Sequence, residues 1–408
     1  MNTPPAPRAT GWQQRLTQAW LTRSTLTRLL WPLSRVYGWL MTVRTACYRV
    51  GLLHTERMPV PVIVVGNVVV GGGGKTPTTV AIVRHLQSLG HRPGVVSRGH
   101  GRSVAGRAGA ERAVHVHAQS PAEEAGDEPL LIHQATGVPV VVARQRVQAA
   151  RALLAAHPGT TVLVCDDGLQ HLALHADIGV VVFDERGVGN GWLLPAGLLR
   201  EPWPRAASQP VQPPPVPPPG ALGLPAALGR GPWPARAVHL VLQSRTHTLT
   251  APLPCPPGAV HAWALKGLAQ EALNMHGQRV SLKTLVDSGQ ATWVAWAGIA
   301  SPEGFFDMLR AAGVRLTHTL GLNDHQVFDE DFCSKLFIKY KRKSIFCTQK
   351  DAVKLFPVMH QLAARLARNG QTETLPAVWA VPLNFEPQPA FFQALEQRLS
   401  LIHGHQTA

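Results

Sequence analysis

The chain has 408 residues, enough for two or three domains, and 45% of them are apolar, which supplies a core and excludes wholesale disorder. Lysine and arginine outnumber aspartate and glutamate 39 to 24, so the net charge is +15 with histidine neutral. A field of that sign draws in polyanions (nucleic acid, anionic lipid, phosphorylated substrates) without choosing among them. Five scattered cysteines (Cys47, Cys165, Cys255, Cys333, Cys347) form no CxxC pair, which argues against a zinc ribbon or a disulfide framework and for a reducing compartment.

The first residues, MNTPPAPRATGWQQ, lack the basic start, apolar run and cleavage site of a secretory signal, so export is not expected. Residues 29–53 are apolar but interrupted by Arg35, Arg44 and Arg49, and no run is long enough to span a bilayer. Leu33, Val36, Leu40, Val43, Cys47 and Val50 recur at three-to-four spacing. That period predicts a basic amphipathic helix, lying either in a membrane interface or against the protein's own core.

From residue 59 short β-branched runs alternate with helical patterns. VPVIVVGN (60–67), PGVVSRG (93–99), VPVVVA (138–143), TTVLVCDD (160–167) and IGVVVFD (178–184) read as strands. Thr78–Leu89 and Val147–Ala156 read as helices between them. Near-continuous apolar strands separated by helices predict a parallel sheet buried on both faces, in a doubly wound α/β domain with its site at the strands' carboxyl ends.

Proline and glycine dominate 202–234, which predicts a stiff, extended spacer. A second α/β set follows: AVHLVL (237–242), TWVAWAGI (292–299), a helix over Pro302–Ala312, RLTHTL (315–320), KSIFCTQ (343–349) and PAVWAVPL (376–383). The division expected is a helical segment over 1–58, a nucleotide-binding domain over 59–201, the linker, and a C-terminal α/β domain over 235–408.

The strongest local signal is VIVVGNVVVGGGGKTPTT (62–79): a buried strand, four glycines (Gly71, Gly72, Gly73, Gly74), Lys75 and Thr76, then a helix. Glycines let backbone amides converge on an anion with no Cβ in the way, and the helix N-terminus adds partial positive charge. In such a P-loop Lys75 reaches the β- and γ-phosphates and the Thr76 hydroxyl ligates Mg²⁺. Val69 stands where the strict GxxxxGK[ST] pattern has glycine, so the loop is a variant with its glycines late. No base-specifying NKxD is present, and ATP is taken as the nucleotide. Asp166 and Asp167 end an apolar run, the place for a carboxylate that orients the metal shell.

Taken in order, GGGGKTP (71–77), PGVVSRGHGR (93–102), AGDEP (125–129), DDGLQH (166–171), LLPAGLLREP (193–202), AGIASPEGFF (297–306), NDHQVF (323–328) and TQKDAVKL (348–355) resemble the tetraacyldisaccharide 4'-kinase family of the lipid A pathway. The resemblance spans most of the chain, to about residue 383. It implies an enzyme that moves the γ-phosphate of ATP, with Mg²⁺, onto a membrane-embedded disaccharide, and a P-loop NTPase-like fold with a second, smaller α/β lobe. It also implies placement at the cytoplasmic face of the inner membrane through the N-terminal helix. Position by position, it gives Lys75 and Thr76 to ATP and Mg²⁺, Asp127 as catalytic base assisted by His325, and Asp166 and Glu201 to the metal. Arg98, Asp167, Gln170, His171 and Arg200 fall to the disaccharide and phosphate side. The family has threonine, tyrosine and glutamate where Gly73, His100 and Gln349 stand here.

The competing reading is a membrane-attached, nucleotide-dependent switch or scaffold without a small-molecule acceptor. It leaves the GDEP and Asp324-His325 clusters unexplained. Nucleic-acid binding rests on charge alone, without aromatic–basic interleaving, and is not expected. No obligate protein partner is implied.

Overall fold

The computed structural model describes residues 16, 18–71, 73–99, 112–204, 237–246, 252–288, 293–324, 326–340, 343–369 and 375–406. Gly72, His100, His325 and most of the 202–234 linker lie outside these residues. In chain order the strands are β1 (Val62–Gly66), β2 (Pro93–Ser97), β3 (Val114–Val116), β4 (Val140–Val142), β5 (Val162–Asp166), β6 (Ile178–Phe183), β7 (Leu240–Arg245), β8 (Val260–Leu268), β9 (Glu271–Asn274), β10 (Arg279–Ser281), β11 (Trp293–Ala297), β12 (Leu316–Gly321), β13 (Ser344–Thr348), β14 (Val378–Val381) and β15 (Leu383–Pro387).

The chain forms two compact units, and they are not consecutive blocks. One takes the described parts of Gln13–Ser97, Gln145–Ala264 and Pro387–Ala408; the other takes those of Arg98–Arg144 and Leu265–Glu386. The division expected from chain order therefore differs from the compact units: the segment bearing Asp127 clusters with the later α/β set. Strand patterns are local, whereas which strands share a core depends on contacts far apart in sequence.

In the first unit, β7, β6, β1, β5 and β2 lie side by side, each pair parallel. All residues of β1, β5 and β6 are buried, as unbroken valine-rich runs demand when helices cover both faces. The Lys75–Ser88 helix packs on β1 and β5, and the Arg146–Ala156 helix on β2. The C-terminal helix Pro389–Gln406 returns to β6 and β7, where His85 stacks on Phe392 and its Nε2 meets Glu396 at 2.8 Å.

The N-terminal helix runs Thr25–Arg49, with Pro32 inside it and the Ser24 hydroxyl accepting from the Thr27 amide. Its buried residues are Thr27 and Ser34. The apolar stripe predicted from the sequence faces outward: Leu33, Val36, Leu40 and Val43 are all exposed, and Trp39 is 65% exposed. Packing of that stripe on the protein's own core is thus not what is seen in this unit. Among the described residues, no helix is long and apolar enough to cross a membrane.

The second unit is built on a six-stranded sheet in the order β10-β9-β14-β13-β11-β12, parallel from β14 to β12 and antiparallel at β9 and β10. Trp293 stacks on Phe346 at 4.2 Å in its core. The antiparallel pair β3–β4 and the helices Asp127–Thr136, Pro302–Ala311, Glu330–Lys339 and Gln349–Arg368 belong to the same unit. Two of those helices escape a reading by pattern. Asp127-Glu128-Pro129 looks like a turn, and Pro357 lies inside Gln349–Arg368, where proline ordinarily argues against helix.

Candidate functional site

In the first unit, β1 feeds the glycine turn and the turn feeds a helix. Gly71 has φ +60° and Gly74 φ +93°, a left-handed conformation that costs a Cβ-bearing residue and is free to glycine. Gly74 is the N-cap, with no side chain to satisfy the first amides of the Lys75–Ser88 helix. Those amides and the dipole are directed at whatever anion lies ahead of Lys75. Pro77 sits in the first turn, where its missing N–H costs nothing.

The strands on either side of β1 each deliver a carboxylate to this corner. Asp166 closes β5; it is almost fully buried, and the Thr79 hydroxyl donates to its Oδ1 at 2.9 Å. Asp167 follows with φ +50°, held by the Arg146 guanidinium on its carbonyl and by Lys75 Nζ at 3.9 Å from Oδ1. Beyond the end of β6, Asp184 Oδ2 accepts the Gly73 amide at 3.0 Å. Arg186 pairs with Asp184 at 2.8 Å and donates to the Gly71 carbonyl at 2.6 Å. Burial pushes the Asp184 carboxyl up, but the hydrogen bonds and charge of Arg186 and the amides of Gly73 and Arg186 outweigh it and hold it below the usual carboxylate range.

A third element brings Glu201 and Gln170 together. Glu201 is buried, and Gln170 Nε2 donates to its Oε1 at 2.6 Å and to the Asn67 carbonyl at 3.1 Å. The Asn67 carboxamide, fully buried just after β1, has no hydrogen-bond partner among the described residues. His171 and Arg200 are half-buried in the same unit. The N-terminal helix braces this region from outside: Tyr37 donates to the Arg200 carbonyl at 3.0 Å, Arg44 to the Gln170 carbonyl at 2.9 Å and Ser34 to the Leu193 carbonyl at 2.9 Å. Burial and the Glu201 charge raise the Tyr37 phenol, against a smaller pull from Arg200 and Arg44.

The donor set suits a magnesium–triphosphate group: late glycines, a lysine, a hydroxyl at Thr76 and buried carboxylates at Asp166 and Glu201. Among the described residues no group of three or more His, Cys, Asp or Glu stands ready to hold a metal unaided. Magnesium is held in phosphate-transfer sites by one or two carboxylates together with substrate phosphates.

Asp127 belongs to the second unit, whereas His325 lies outside the described residues. Asp127 is the first residue of its helix, after Gly126 at φ +87°, and is only 3% exposed. Carboxylates there are favoured by the helix N-terminus. Two lysines on the Gln349–Arg368 helix face it: Lys354 Nζ lies 3.3 Å and Lys350 Nζ 3.8 Å from Asp127 Oδ2. Lys350 also meets Glu128 at 3.2 Å and Asp324 at 3.0 Å. Burial works against the Lys350 ammonium, but Glu128, Asp127 and Asp324 outweigh it and push its pKa above the ordinary lysine range.

The sequence-predicted residues thus fall into two groups. Gly71, Gly73, Gly74, Lys75, Thr76, Asp166, Asp167, Gln170, His171, Arg200 and Glu201 share the first unit. Asp127 stands in the second, and Arg98 is exposed directly after β2. Residues that reading by motif passed over are Asp184, Arg186 and Arg146, for which the strand-end position of Asp184 was a signal. Lys350 and Lys354 lie within the TQKDAVKL motif, at i, i+4 spacing, but were given no role.

The sequence model of the family described as tetraacyldisaccharide-1-P 4'-kinase matches residues 26–211 and 224–400. A tetraacyldisaccharide 4'-kinase of Polaromonas naphthalenivorans is 44% identical over 97% of this chain and 99% of its own length. One of Acidovorax sp. (strain JS42) is 46% identical over 96% and 97%. A crystal structure of LpxK from Aquifex aeolicus in complex with ATP superposes with a TM-score of 0.64 at 22% identity, covering 92% of this chain and all of that one, a likeness of fold. With a family match over most of its length and relatives of this identity from end to end, the chain belongs to the tetraacyldisaccharide 4'-kinase family.

Proposed function

We propose that the chain transfers the γ-phosphate of ATP to the 4'-hydroxyl of a tetraacylated disaccharide 1-phosphate, with Asp127 as the base. The glycine turn carries this reading: Gly71 and Gly74 in left-handed conformations open a helix whose first residues are Lys75 and Thr76. In the transfer, the acceptor oxygen bonds the γ-phosphorus, the β,γ-bridging P–O bond breaks, ADP leaves and the hydroxyl proton passes to Asp127. Lys75 and the turn's amides hold the negative charge that builds on the transferring group. Thr76, Asp166 and Glu201 would hold Mg²⁺, which when bound neutralises phosphate charge. Asp167, Gln170, His171, Arg200 and Arg98 serve the sugar and phosphate side, and His325 orients the Asp127 carboxylate or relays its proton.

The exposed stripe of the N-terminal helix suits the same reading. Leucine, valine and tryptophan side chains beside Arg35, Arg44 and Arg49 fit the interface of an anionic membrane, at its cytoplasmic face, where the acylated substrate resides. Incubation of the full chain with radiolabelled ATP, Mg²⁺ and detergent-dispersed tetraacyldisaccharide 1-phosphate tests the function. Labelled lipid is the expected result, and label appearing only as free phosphate, stimulated by a protein partner and indifferent to lipid, supports the acceptor-free switch instead.

A further inference from the structure

The TQKDAVKL segment (348–355) is tightly fixed at its start. The Thr348 hydroxyl caps the Gln349–Arg368 helix by accepting the Asp351 amide at 3.1 Å and donates to Asp351 Oδ2 at 2.6 Å. The same Asp351 oxygen accepts the Gly298 amide at 3.0 Å, and a Cβ on Gly298 would come within 2.6 Å of the other. Asp351 is fully buried. These contacts fix the start of the helix against the end of β11. They also fix the direction in which its first turn sends Lys350 and, one turn on, Lys354.

Both lysines converge on Asp127, and the Lys354 ammonium lies 5.7 Å from the centre of the Phe328 ring, a face that attracts cations. Among the described residues, charged groups around the pair include Asp127 and Glu128 from the Asp127–Thr136 helix, Asp324 from the turn after β12, and Asp351 from their own helix. Lys350 thereby ties the turn that leads into His325 to the helix that starts at Asp127. Its three carboxylate contacts come from two segments about 200 residues apart in sequence.

We infer that Lys350 and Lys354 are positioning residues that hold the Asp127 carboxylate in one place and in its ionised, proton-accepting form. The inference rests on the reading of Asp127 as the base. Opposite charges within 4 Å of a buried carboxylate favour its charged form, whereas a neutral side chain in their place would leave burial unopposed and favour the acid. A carboxylic acid accepts no proton, so the lysines extend the working range of the base toward low pH without touching substrate.

The test is the pH dependence of turnover for the full chain with Mg²⁺, ATP and detergent-dispersed tetraacyldisaccharide 1-phosphate. Lys354→Met and Lys350→Met are expected to move the acidic limb of kcat upward by one pH unit or more. Turnover falls about tenfold on that limb and recovers toward wild type above it, with KM for ATP within twofold. Lys354→Arg, which keeps the charge and the fold, restores the wild-type limb. A loss equal at every pH, or no loss, overturns the inference. In protein labelled with carboxyl-¹³C aspartate, the Asp127 resonance, assigned from Asp127→Asn, reports its titration apart from activity. It is expected to titrate at higher pH in the lysine variants, and an unmoved titration also overturns the inference. Wild-type turnover in Asp127→Asn contradicts the base itself, and the ¹³C titration still judges the pairing alone.

Discussion

The Gly73 amide donates to Asp184 Oδ2 at 3.0 Å, joining the phosphate-loop turn to the end of β6 across 111 positions of the chain. Arg186 completes the contact by bridging that carboxylate and the Gly71 carbonyl. The glycine turn is free to adopt many conformations, and this pair selects one.

Asp184→Ala therefore weakens nucleotide binding. A charge-assisted hydrogen bond to a backbone amide contributes roughly 1.5 kcal/mol or more, which corresponds to about a tenfold rise in Kd for a non-hydrolysable ATP analogue. Calorimetric titration measures it, and an unchanged Kd would show that the turn holds its shape without the brace.

The same carboxylate makes stability depend on pH. Its folded pKa lies below the ordinary value of 3.8, so the unfolded chain binds the proton more readily. The stabilisation is complete above about pH 4, the unfolded value, and is lost as pH falls through the lower folded one. The difference in unfolding free energy between wild type and Asp184→Asn is expected to be constant from pH 5 to 7 and to shrink below about pH 4. A difference that grows on acidification contradicts the pairing.

Gly168 explains why the strand-end aspartates are followed by glycine. A Cβ there would lie 2.5 Å from Cys165 Sγ and 3.0 Å from Val64 Cγ1, both within the sheet. Gly168→Ala is expected to cost about 1–3 kcal/mol by overpacking and to lower the melting temperature. Since Asp166 and Asp167 directly precede it, turnover should fall in the fraction that stays folded.

The N-terminal helix exposes Leu33, Val36 and Leu40 together. Replacing all three with serine is expected to leave the melting temperature nearly unchanged, because none of them is buried, while abolishing sedimentation with anionic phospholipid vesicles. Equal sedimentation of the variant and the wild type would mean that charge alone holds the chain to the surface.

Much of this was legible where the chemistry is local. GGGGKT and DDG each lie within a few residues, and the valine runs of β1, β5 and β6 declare buried parallel strands. The helix over Thr25–Arg49 was legible from its period, but which way its apolar stripe faces depends on Ser34 and Tyr37 reaching Leu193 and Arg200, some 160 positions away. The brace on Gly73 and the lysines on Asp127 were not legible for the same reason: each pair is separated by 111 to 227 positions, and neither partner carries a spacing that names the other. The grouping of Asp127 with the later strands has that origin too.

Transfer of label from [γ-³²P]ATP to tetraacyldisaccharide 1-phosphate, compared between wild type, Lys75→Ala and Asp127→Asn, tests the central claim most directly. The wild type should yield a lipid bearing one added phosphate at the 4'-position, Lys75→Ala should lose about a hundredfold or more in turnover, and Asp127→Asn should bind ATP normally yet transfer almost none. Labelled lipid formed by Asp127→Asn at the wild-type rate, or none formed by the wild type, would contradict it.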